Sequence, residues 1–74
     1  MNREPIFITA DMGEADSVER VLDGAGVSYS LRLDAIEREG SACYQGILYE
    51  VAADDAEKCR RLIVKNGLVP FRAA

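Results

Sequence analysis

Val27-Ser28-Tyr29-Ser30-Leu31-Arg32-Leu33-Asp34 decides the fold class of this chain. It alternates apolar and polar at every step, the period of a β-strand with one buried and one wet face. Val27, Tyr29, Leu31 and Leu33 are expected to face the core, and Ser28, Ser30, Arg32 and Asp34 the solvent. Just before it stand Gly24 and Gly26, which suit the left-handed backbone that ends a helix. Ala15, Val18, Val21, Leu22 and Ala25 recur at helical spacing and form one apolar face. Asp11, followed three positions later by Glu14, has the spacing of a capping box, so the helix is expected to start there and run to about Asp23. Pro5-Ile6-Phe7-Ile8-Thr9-Ala10 is a short apolar run with β-branched residues, expected to be a strand that Pro5 begins.

On the other side, Ala35 to Ala42 is charged, contains a glycine and is too long for a tight hairpin turn; it has room for one helical turn before Gly40. Cys43 to Val51 reads as the next strand, with Ile47, Tyr49 and Val51 inward and Gly46, Leu48 and Glu50 on the other face. A second helix is expected from Asp54, where Asp54 and Glu57 repeat the capping-box spacing. Its apolar stripe is Ala56, Cys59, Leu62 and Ile63, with Val64 at the margin. Asn66-Gly67 ends it. Leu68-Val69-Pro70-Phe71-Arg72 is expected to be a last strand at a sheet edge, because Pro70 cannot donate a ladder hydrogen bond. The order β-α-β-β-α-β predicts an α+β, ferredoxin-like domain over residues 1–74: an antiparallel four-stranded sheet with two helices on one face.

Composition narrows the function classes. The chain has 74 residues, enough for one domain with a thin core that a second copy would support. Its net charge is −4 and its longest basic run is Arg60-Arg61, so there is no cluster of cations to displace counterions from a nucleic-acid backbone or to seek an anionic membrane. No stretch approaches the roughly 20 apolar residues of a membrane span, and no secretory signal is recognisable, which gives a cytoplasmic expectation. Cys43 and Cys59 lie 16 positions apart and are expected to be reduced thiols. Without a histidine, they make zinc, copper or an iron–sulfur cluster an unfavourable expectation, and no cofactor is expected.

Ile8-Thr9-Ala10-Asp11-Met12-Gly13-Glu14-Ala15-Asp16, continued by Val21-Leu22-Asp23-Gly24-Ala25-Gly26-Val27, resembles the opening of the small bacterial PII-like signal-transducing domains. Ala53-Asp54-Asp55-Ala56-Glu57-Lys58-Cys59-Arg60-Arg61-Leu62 is similar to the acidic start of their second helix. The likeness spans residues 6–64. It implies a ferredoxin-like fold related to that of the nitrogen-regulatory PII proteins and a place in signal transduction. The segment Ala35 to Ala42 is much shorter than the modified loop of true PII proteins, and no nucleotide-binding residue carries over.

Four candidate sites follow from the residues. At the turn Thr9 to Glu14, a helix N-terminus with Thr9, Asp11 and Gly13 offers amides to a small anion or amino acid, while Asp11 and Glu14 already supply the negative charge of a cap. Glu37 and Glu39 fall short of the converging oxygens that a hard cation needs and read as a solvated loop. Cys43 lacks a histidine partner, so it reads as a structural thiol, and Cys59 as a small core residue. The sheet face away from the helices is expected to carry Ser28, Ser30, Arg32, Gly46, Leu48 and Glu50. That mixture suits self-association as a homodimer or larger oligomer. Tyr29 and Tyr49 fall on the inward registers, so an RNA-binding platform is missing from the open face. The function expected is a non-catalytic regulatory or protein-interaction module, with any small ligand held at a subunit interface. An ACT-like amino-acid sensor and a small enzyme of the same fold are the alternatives. No carboxylate, tyrosine, lysine or thiol forms an evident acid–base pair for the latter.

Overall fold

A computed structural model describes residues 2–37 and 43–71. The order is β1 (Arg3–Thr9), α1 (Met12–Gly24), β2 (Tyr29–Glu37), β3 (Cys43–Ala52) and α2 (Ala53–Lys65). The alternating stretch forms β2 as its period requires, starting two residues later than expected and running on through Glu37. Ala35 to Glu37 are therefore strand; the rest of the expected loop, 38–42, lies outside the described residues. β1 begins at Arg3, which puts Pro5 inside it rather than at its start. The strand accommodates this through an irregularity: its register on β3 shifts between Pro5 and Phe7. A bulge is one of the few places where a strand tolerates a proline.

The sheet is antiparallel and three-stranded, in the order β1-β3-β2. The α+β class stands, and the expected four-stranded ferredoxin-like sheet is corrected. Leu68 to Phe71 does not form a ladder. Among the described residues it makes one backbone bond to β1, from Phe71 N–H to the Ile6 carbonyl at 2.7 Å. Pro70 has no N–H to extend that pairing, and Arg72 lies outside the described residues.

α1 starts as its sequence dictates. Asp11 is the N-cap, and its Oδ1 accepts the Glu14 N–H at 3.0 Å. Val27 and Gly26 close the other end with bonds back to Leu22 and Asp23, and Gly26 takes φ 70°. α2 differs from expectation. It begins at Ala53, a residue before Asp54, and its N-cap Ala52 makes no side-chain cap bond. Asp54 and Asp55 sit inside its first turn, where their charge meets the positive end of the helix dipole. The Ala53 N–H is instead taken by the Asn2 carbonyl, at 3.0 Å. Gly67, at φ 80°, ends this helix where Asn66-Gly67 predicted.

Ile6, Phe7, Ala15, Val18, Leu22, Val27, Tyr49, Val51, Ala56, Cys59 and Ile63 form one buried cluster between the helices and the sheet. α2 packs on β1 and β3 and α1 packs on β1, while β2 makes no comparable contact with either helix. This overturns the expectation that Leu31 and Leu33 face the core. Both point to the helix side, paired with Tyr49 and Ile47 respectively, yet they are 51% and 67% exposed. Their side is right and their cover is missing.

Candidate functional site

The turn between β1 and α1 gathers the three expected ligand residues into a closed set of internal bonds. The Thr9 hydroxyl donates to Glu14 Oε1 at 2.6 Å and accepts the Asp11 N–H at 2.9 Å. The Ala15 N–H returns to the Asp11 carbonyl at 3.0 Å. A Cβ on Gly13 would lie 3.1 Å from Asp11 Oδ1, so glycine fits closely against the cap. Thr9, Asp11 and Gly13 thus stand together as a helix cap whose polar groups are bonded to one another.

The expected interface residues of the open face are partly brought together. Ser30 pairs with Glu50 and Arg32 with Leu48 across β2 and β3. Arg32 Nη2 reaches Glu50 Oε2 at 3.7 Å, and Arg3 Nε donates to Ser30 Oγ at 3.2 Å. Gly46 pairs with Asp34, and Ser28 lies before β2, exposed and outside the ladder. Leu48 corrects the expectation of an exposed contact residue. It is 2% exposed although it lies outside the helix-side cluster. It sits on the central strand between Ile8 of β1 and Arg32 of β2. The open face thus has a buried apolar residue of its own. Leu48→Glu is therefore expected to disturb the fold itself, because a carboxylate there would lose its water.

The helix side of β2 has a different character. At the start of the strand, Tyr29 packs on Tyr49 with ring centroids 6.0 Å apart, and Tyr49 in turn packs on Phe7 at 6.2 Å. The Tyr49 hydroxyl donates to Glu19 Oε2 at 2.6 Å. Burial, then this bond to a carboxylate, push its pKa well above the usual tyrosine value. Burial and the neighbouring Asp23 raise Tyr29 as well. Beyond Tyr29 the α1 cover ends, and Leu31 and Leu33 follow on the uncovered strip. β2 is also a sheet edge, paired only with β3 among the described residues. Among the described residues of the sheet, these two leucines, two positions apart on its edge, are the large apolar side chains left exposed.

Arg60 is a buried structural anchor that the sequence reading passed over. It is 6% exposed. Its guanidinium donates to the Pro5 carbonyl at 2.9 Å, the Phe71 carbonyl at 3.2 Å, Glu57 Oε1 at 2.8 Å and Glu4 Oε1 at 3.2 Å. It ties the segment after α2 to β1. The signal was its spacing: Ala56, Cys59, Arg60 and Ile63 are the buried positions of α2, an i, i+3, i+4, i+7 set in which Arg60 replaces the expected Leu62. A charge on that stripe is buried only when its donors are satisfied, as here.

Cys59 is a free, buried thiol whose pKa is raised by burial. The Cys43 side chain, and those of Glu37 and Glu39, lie outside the described residues. Among the described residues no three of His, Cys, Asp and Glu converge as a metal site, and no helix is long and apolar enough to cross a membrane. A groove of about 520 Å³ between α1 and α2 is lined by Ser17, Arg20, Val21, Leu62 and Asn66 among others, with one titratable side chain, Arg20, in its lining. Neither a family model, a curated protein nor a solved structure matches this chain.

Proposed function

We propose that this chain is a non-catalytic interaction module that docks a protein partner along β2. The exposure of Leu31 and Leu33 on a sheet edge that is unpaired among the described residues carries this reading. Main-chain donors and acceptors on such an edge can add a strand from a partner, and alternate side chains select it. The mutual bonding of Thr9, Asp11 and Glu14, with Gly13 close against Asp11, supports a structural use of that turn. The α1–α2 groove lacks the paired acid and base that an enzyme of this size would need. The resemblance to small PII-like signal-transducing domains supports a regulatory use of the docking, in a cytoplasmic setting.

Two-dimensional amide spectra of the ¹⁵N-labelled protein with pooled nucleotides, amino acids and divalent metals test the reading. The expected result is no saturable shift with any pool. Saturable shifts confined to Thr9–Glu14 or the α1–α2 groove would replace it with a ligand sensor or an enzyme.

A further inference from the structure

We infer that the occupant of the β2 edge is a second copy of this chain, paired β2 to β2 in antiparallel fashion about a two-fold axis at Leu33. This rests on the docking reading and names its partner. β2 spans nine residues, and its register on β3 runs without a shift from Tyr29 to Glu37. It contains no proline, lysine or glycine. It therefore lacks several devices with which monomeric proteins blunt a sheet edge. Met12, Val64 and Val69 are exposed too, but on other elements; Leu31 and Leu33 form a continuous strip on the edge itself.

The charges of β2 select both the partner and the register. Residues directly opposite in an antiparallel pair share a face, and opposite charges there attract while like charges repel. With the axis at Leu33, the two Leu33 side chains meet on the helix side and Leu31 faces Ala35 of the partner subunit. On the open face, Arg32 faces Asp34 of the partner subunit, and the symmetry makes this pair twice. Moving the axis to Arg32 sets arginine against arginine. Moving it to Asp34 sets aspartate against aspartate. Moving it to Leu31 leaves both charges opposite serines. The Leu33 register alone among these joins the apolar strip and satisfies both charges. Arg32 and Asp34 are both exposed in the single chain, where Arg32 pairs with Glu50 at 3.7 Å and Asp34 Oδ1 accepts the Ala35 N–H at 2.8 Å, so each has to share or exchange that partner on pairing.

The test is light scattering coupled to size exclusion, on the wild-type chain and on two charge reversals. Arg32→Asp sets aspartate against aspartate across the interface, and Asp34→Arg sets arginine against arginine. The wild type is expected to approach twice the 8.1 kDa chain mass as concentration rises. Each reversal alone is expected to raise the dimer Kd by at least about tenfold. An equimolar mixture of the two restores opposite charges at both positions and is expected to recover the dimer. Leu33→Arg, which sets like charges on the axis, provides a second variant that should stay monomeric; circular dichroism checks that each variant is folded. A wild type that stays monomeric at several hundred micromolar overturns the inference, as do reversals that dimerise like the wild type or a folded mixture that stays monomeric. The two readings fail separately. A monomeric wild type with spectra silent to small molecules removes the second copy and leaves docking of another protein, whereas saturable small-molecule shifts remove the docking reading itself.

Discussion

The two edges of this sheet are finished in opposite ways. The β1 edge carries a proline, a register shift and a covering segment, and Arg60 fastens that segment from behind. The β2 edge is straight and unpaired among the described residues, and it shows two leucines to solvent. A long edge strand without such cover is a template for another chain. The fold covers one edge with the segment after α2, and the other is the edge proposed above for a partner. Leu48 and Leu33 show the same contrast at the level of single side chains. Leu48 is buried, and Leu33 has the same apolar surface without cover.

The largest effect should come from the covered side. Leu48→Ala is expected to destabilise the fold by about 2–4 kcal/mol, read as a lower urea midpoint. Leu33→Ala, measured where the chain is monomeric, should stay within about 0.5 kcal/mol. Equal losses would erase the distinction between the two faces. Arg60→Ala comes next, at about 2–3 kcal/mol, because buried carbonyls lose a charged donor. Its particular signature should be faster amide exchange at Phe71, whose N–H bonds to β1; unchanged exchange there would mean that Arg60 does not hold the segment. Asp11→Ala should cost about 1 kcal/mol through loss of the α1 cap. The same substitution at Asp54, which caps nothing, should cost less in the same denaturation experiment.

The smallest effect concerns alkaline pH. Tyr49 is raised in the folded chain, so the unfolded chain releases its proton first, from about pH 10. The stability from this group is fully present below that value and declines as pH rises toward the folded pKa. Tyr49→Phe is expected to make the alkaline limb of a stability-against-pH curve shallower. An unaltered limb would show that the bond to Glu19 does not hold the proton.

The strands and helices were readable because period and caps are local. Val27 to Asp34 announced β2, and Asp11 with Glu14 announced the start of α1. The faces were readable too, since Leu48 and Leu33 lie on the sides that alternation assigns. Cover was not readable. Whether a helix lies over a strand depends on how α1 and α2 are placed on the sheet, and alternation along β2 says nothing of that. The last strand was lost for a related reason: an apolar run with a proline has strand composition, but a ladder also needs donors, and among the described residues of that segment only Phe71 supplies one to β1. Asp54 misled because a capping spacing fits equally well one residue inside a helix. Of the candidate site, Arg32 was named from the sequence, but as part of a face. Its pairing with Asp34 across an edge became visible only once β2 was known to be that edge.

Amide hydrogen exchange at two protein concentrations, resolved residue by residue, compares the two edges in one experiment. Protection should rise with concentration along Ser30 to Ala35 of β2 and stay constant along β1. Protection of β2 that ignores concentration, or a rise confined to β1 and Phe71, would contradict the assignment of β2 as the open edge at which two copies meet.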